Sequence, residues 1–209
     1  MFRTQTFTVG VVLAVALFLF AQHRPGTQAS QQFNNVVDLT DNAQAAIIDT
    51  PSRMVRNSWN PANLPAQRLI GPLVVLNVTR KAQSTTQYAV TPDDLDEWEH
   101  AHGQVPAGAI VVARSDATHN AAFAPDTAQF LVEARRVVAL GTDGASVAAG
   151  HGSGAASEDR YNFERGVYHV EQLRNLDRAP VVGGIAIVAP TPDPHSSIAQ
   201  ARVLVLLKQ

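Results

Sequence analysis

The sequence predicts a mixed α/β domain with a central sheet and helices packed against it. Three observations point there: about seven short apolar, β-branched runs, two well-signalled amphipathic helices, and the interleaving of the two kinds of element along the chain. The 209 residues are 45% hydrophobic and 16% charged, enough apolar material for a core and too much for a chain disordered by composition.

The elements follow in order. NVVDL (35–39) reads as a short strand, and the apolar pair Ile47–Ile48 leads through Asp49 into a Pro51 turn. GPLVVLNV (71–78) is a continuous apolar run after Gly-Pro, the pattern of a buried strand. TPDDLDEWEHAHG is the clearest helix: Thr91 is a good N-cap, Pro92 fits the first position, Asp93 and Asp94 suit the positive end of the dipole, and Gly103 stops it. His100 and His102 lie in its last turn, where a cation suits the dipole. AIVVAR (109–114) is a strand. PDTAQFLVEARR (125–136) is a second helix with Ala128, Leu131 and Val132 on its apolar stripe. VVALGTD (137–143), GVYHVEQL (166–173), GGIAIVAP (183–190) and ARVLVLL (201–207) complete the strands. The Gly/Ala/Ser-rich stretch 142–160 reads as a loop, either mobile or approaching a ligand.

The N-terminus carries one early charge, Arg3, and then an apolar run from Val9 to Ala21. That run is short of the roughly 20 residues a membrane-spanning helix needs. It suits the apolar region of a secretory signal, so residues 1–30 are expected to be a signal peptide, cleaved or retained as an N-terminal anchor, ahead of a domain at 31–209. An exported location, periplasmic or extracellular, follows from that expectation. The formal net charge of -2 supplies no basic field to hold nucleic acid. The absence of cysteine excludes disulfides, thiolate zinc sites and a cysteine nucleophile. No nucleophile elbow, phosphate loop or dinucleotide fingerprint is present.

Six stretches, in register and in the same order, resemble the cyclase family, which includes bacterial kynurenine formamidase and isatin hydrolase. They are VVDLT, PAQRLIGPLVVLNV, VTPDDLDEWEHAHGQVPAGAIVVARSD, FAPDTAQFLVEARRVVALGTDGASV, GVYHVEQLRNLDRAP and SSIAQARVLVLL, spanning about residues 35–207. The resemblance implies a swivelling β/β/α fold, often in a homo-oligomer. It also implies arylformamidase-like hydrolysis of a small amide or cyclic carbonyl substrate, using a divalent metal such as Mn or Zn. Such an ion lowers the pKa of bound water and polarises the carbonyl.

The family's metal loop, H-G-T-H-x-D-A-P-x-H, falls on the segment ending at Arg53. Its Asp and Pro coincide with Asp49 and Pro51, while its histidines fall on Gln44, Ile47 and Arg53. The family's later glutamate matches Glu171, and its later histidine falls on Asp159. By resemblance the candidate metal ligands are therefore Asp49, Asp159 and Glu171. Each also has a plainer reading: a turn-capping aspartate, a solvated loop aspartate, and a strand glutamate paired with Arg174 or Arg178. His169, two residues before Glu171 and so on the same strand face, is the candidate catalytic imidazole, and His151 a further one on a glycine loop. Arg53 and Trp59 are candidate substrate contacts. Isoleucine cannot bind a metal and arginine repels one. An ion-pair cluster of two carboxylates and Arg53, needing no metal, is therefore the competing arrangement. Two functions follow: a metal-dependent hydrolase of weak or altered activity, or a catalytically inactive relative that binds a small molecule or another protein.

Overall fold

The computed structural model describes residues 35–40, 45–116, 119–150 and 152–207. The expected signal or anchor, most of the 40–44 segment and His151 lie outside these. Among the described residues, no helix is long and apolar enough to cross a membrane.

The strands are β1 (Asn35–Asp38), β2 (Ala46–Asp49), β3 (Ile70–Asn77), β4 (Gln87–Val90), β5 (Ile110–Arg114), β6 (Asn120–Phe123), β7 (Ala139–Thr142), β8 (Tyr168–Glu171), β9 (Gly184–Pro190) and β10 (Ile198–Leu207). The helices are α1 (Thr79–Ala82), α2 (Pro92–His102), α3 (Pro125–Glu133) and α4 (Ser153–Glu164). Eight strands form one sheet in the order β1-β10-β2-β8-β7-β5-β3-β9, and β9 also pairs with β10. That last pairing closes the sheet into a barrel, which leaves β1 as an extra strand beside the second half of β10. Strands β3, β5, β7 and β8 run parallel to one another. Parallel neighbours need crossovers, and these carry the helices and the small parallel pair β4–β6.

Strand alternation divides the core in two. Leu73 and Val75 of β3, Ile110 and Val112 of β5, and Tyr168 and Val170 of β8 fill the barrel. Val74, Leu76, Val111 and Ala113 face the other way, onto Leu95 and Trp98 of α2 and Ala128, Leu131 and Val132 of α3. This is the mixed sheet with flanking helices that the sequence predicts.

The predicted helix at 91–103 forms as α2. The Thr91 hydroxyl accepts from the Asp94 amide, the Asp94 carboxylate accepts from the Thr91 amide, and Gly103 follows at φ 87°. Helix α3 ends at Glu133, three residues before the sequence suggests. The stretch 142–160 is not a loop throughout, because α4 begins at Ser153. Gly152, at φ 70°, turns the chain, and the helix formers that follow it bury Phe163 and Asn162. Strands β4 and β6, short and without strong alternation, were not legible.

Candidate functional site

Strands β2 and β8 pair antiparallel, with Ile47 opposite Glu171 and Asp49 opposite His169. Ala46 and Ile48 point into the barrel, as do Tyr168 and Val170. By alternation Ile47, Asp49, His169 and Glu171 share the outer face. Helix α4 and the 3-10 turn Pro51–Arg53 cover that face. Asp159 and Asn162 reach it from α4: an Asp159 carboxylate oxygen lies 3.6 Å from His169 Nδ1, and Asn162 Nδ2 lies 3.1 Å from His169 Nε2. Phe163 packs against the imidazole, with ring centroids 4.7 Å apart. Arg160 donates to the Met54 carbonyl at 3.4 Å, tying α4 to the turn.

Arg53 is the electrostatic centre. Its guanidinium bonds Asp49 Oδ2, and this bond raises its pKa, as do the charges of Asp49, Asp159 and Glu171. Of the three carboxylates that the sequence singled out, Asp49 bonds the arginine directly, and Asp159 and Glu171 act on it through their charge. Burial outweighs the guanidinium for the acids. It pushes the Asp49 carboxyl up to about 6. Burial and then the Asp49 charge push Glu171 up to about 7, against the hydrogen bond that Val147 N–H donates to it at 3.3 Å. Burial also raises Asp159. His169 is 1% exposed, and burial followed by the Arg53 charge depresses it to about 3, so it stays neutral in the physiological range.

Two groups that sequence reasoning missed adjoin this face. Glu158 is buried, no hydrogen bond of ordinary geometry reaches either carboxylate oxygen, and burial raises it to about 8 against the opposing pull of the Ala149 backbone amide. Asn162 Oδ1 is buried without a partner too, as is Asp49 Oδ1. The signal for Glu158 and Asn162 was available only once 153–164 is read as a helix: positions 158, 159 and 162 then fall on one face.

A cavity of about 520 Å³ opens beside the cluster, lined among others by Arg53, Asn120, Ser146, Asp159 and the glycines at 150 and 152. Trp59 lies elsewhere. It packs against the barrel core and Gly166, with the Arg68 guanidinium 5.0 Å above its ring. Glu171 is not paired with Arg174, which donates to the carbonyls of Asp143 and Leu173.

The Cyclase family model matches residues 8–149, more than half of the chain. The chain belongs to the cyclase family. The isatin hydrolase of Roseibium aggregatum is 27% identical to this cyclase-family chain over 164 residues, covering 69% of it. The chain spans only 62% of the length of that relative. Isatin hydrolase A from Labrenzia aggregata, solved bound to benzyl benzoate, superposes with a TM-score of 0.77 at 20% identity, covering 93% of this chain and 100% of that one. A potential metal-dependent hydrolase with cyclase activity gives a TM-score of 0.60 at 20% identity, covering 84% of this chain and 88% of that one. At these identities the two structures establish the shared barrel fold.

A divalent ion does not fit the side chains as they stand. Among the described residues no three His, Cys, Asp or Glu side chains gather as a metal-binding group. Ile47 offers no donor, the Arg53 cation holds Asp49 Oδ2, and the two ring nitrogens of His169 face Asn162 and Asp159.

Proposed function

We propose that this cyclase-family chain acts on a small amide or cyclic carbonyl compound, hydrolysing it slowly by chemistry altered from the family pattern. One observation carries the reading: Arg53 and Asp159, a donor fork and a carboxylate of raised pKa, line the same 520 Å³ cavity. Of the guanidinium nitrogens, Nη1 is committed to Asp49, and the remaining N–H groups can donate to a substrate carbonyl oxygen. Asp159 is the general base. A raised pKa brings a carboxylate closer to the pH at which it must work. Water gives its proton to Asp159 as its oxygen bonds the carbonyl carbon. The C–N bond then breaks, the nitrogen takes that proton, and a carboxylic acid and an amine result.

The relation to isatin hydrolase favours a hydrolytic role of this kind. The specific observation favouring a second reading, a binding protein without turnover, is that Ile47 and Arg53 stand where the family pattern has imidazoles. One experiment separates them. Isatin and N-formylkynurenine are incubated with the purified chain, with ring opening or deformylation followed by absorbance and binding followed by calorimetry. The expected result is saturable binding with slow turnover that falls about 10²-fold, or to background, in Asp159→Asn. Binding without turnover selects the second reading; turnover unaffected by Asp159→Asn removes Asp159 as the base.

A further inference from the structure

The family pattern calls for a cation on the β2–β8 face, and this chain supplies one covalently. We propose that the Arg53 guanidinium is the resident cation of this site, standing in place of a divalent metal ion, so that the chain neither needs nor retains one. The inference rests on reading this face as the reaction site, as above, and deepens it.

Four observations carry it. Arg53 occupies a position where the family loop has a histidine, four residues beyond the loop aspartate, and its guanidinium bonds that aspartate, Asp49, directly. The same guanidinium interacts with Asp159 and Glu171, the two other positions matching family ligands. Asp49 is 1% exposed, and the Arg53 guanidinium gives its buried charge more compensation than the Thr50 backbone amide does. Ile47, the other described position where the family loop has a histidine, cannot ligate anything.

The physical logic is one of exclusion. A guanidinium is charged at every accessible pH, and its planar fork satisfies a carboxylate by hydrogen bonding where a metal would do so by coordination. A divalent ion brought to Asp49 meets a fixed positive charge already bonded to that carboxylate. It also competes for Asp49 Oδ2, already engaged. Removing the guanidinium reverses both effects: it frees Asp49 Oδ2 and takes away the fixed positive charge, and in Arg53→His it adds an imidazole beside that carboxylate.

The test is metal content and thermal stability, neither of which needs turnover. The 209-residue chain is incubated with Mn2+ or Zn2+, desalted and measured by mass spectrometry, beside Arg53→His and Arg53→Ala. The expected result is well below one ion per chain for the parent, with a Tm unmoved by EDTA or Mn2+. In Arg53→His, the expected result is retention of about one ion per chain and a Tm raised by Mn2+, the signature of a ligand bound by the folded state alone. A parent chain that retains a stoichiometric ion overturns the proposal. So does a folded Arg53→His or Arg53→Ala chain that gains no metal affinity. If both variants fail to fold, the parent's metal content and its response to EDTA still decide the matter. Failure here leaves hydrolysis itself standing, because an ion-loaded parent chain can still turn over isatin. Absence of turnover in a metal-free parent chain counts against the hydrolytic reading alone.

Discussion

At the scale of single residues, the face under α4 concentrates groups held away from their ordinary protonation. Glu158 is the clearest, raised by burial from 4.5 to about 8. Its folded pKa lies above its unfolded one, so the stability it contributes is complete below 4.5 and is lost as pH climbs towards 8. Glu158→Gln keeps the neutral shape at every pH. Its Tm advantage over the parent is therefore expected to be small near about pH 5 and to grow to several °C near about pH 8.5, each 1 kcal/mol being worth roughly 2–4 °C in a chain of this size. Thermal melts at the two pH values check it, and an advantage that shrinks with pH refutes it. His169 has the opposite sign. Its pKa is depressed to about 3, so its contribution is full above 6.5 and falls away as pH drops through that interval. Asp49, Asp159 and Glu171 were legible in the sequence because a family pattern marks their positions. Arg53 was legible too, as a possible ion-pair partner. Glu158 and Asn162 were not, since nothing in a Gly/Ser-rich context marks a buried acid.

At the scale of elements, the most legible helix is the one whose ends are written in side chains. Helix α2 has a reciprocal Thr91–Asp94 cap, Pro92 in its first turn and Gly103 after its last. Asp94 also receives Lys81 and the Tyr88 hydroxyl, and Glu99 takes a two-point bond from Arg135 at 2.7 Å on each side, so the helix is tied to α1, β4 and the end of α3. Thr91→Ala removes one half of the cap and is expected to cost about 1 kcal/mol, a Tm drop of roughly 2–4 °C with no effect on ligand binding in the cavity, which Thr91 does not line. Calorimetry on the variant checks this; a change in affinity without a change in Tm would contradict it. Helix α4 was illegible for the complementary reason. Its N-cap, Gly152, makes no side-chain cap, and its start runs Ser-Gly-Ala-Ala-Ser. It forms because Phe163 and Asn162 have somewhere to go: the outer face of β8.

At the scale of the whole molecule, the barrel closes through β9 and β10 and depends on close backbone approaches. Gly71 is the tightest: a Cβ there would lie 2.3 Å from the Gly108 carbonyl oxygen, a backbone atom that cannot step aside. Its backbone is not left-handed, so the demand is for space alone. Gly71→Ala is expected to destabilise by about 1–3 kcal/mol or more, through strain where β3 meets β5. Denaturant unfolding measures it, and a neutral result would mean that the two segments sit farther apart than the structure has them. Trp59 shows the same dependence on the assembled fold. Its sequence suggested a substrate contact, yet it stacks beneath Arg68 and over Gly166, whose φ of 74° keeps that position to glycine.

The sequence by itself determined the fold class, most of the strands and the helices at 92–102 and 125–133, and it singled out Asp49, Arg53, Asp159, His169 and Glu171 as candidates, because periodicity, capping chemistry and motif spacing are local or order-based signals. Only the tertiary structure decided that 153–164 is a helix, that it lies across the β2–β8 face, and that one guanidinium bonds Asp49 and feels the charges of two acids from other segments. The physical reason is that burial and through-space charge depend on which surfaces meet. A strand pairing that sets Asp49 opposite His169 is fixed by barrel closure, and no spacing along the chain encodes it.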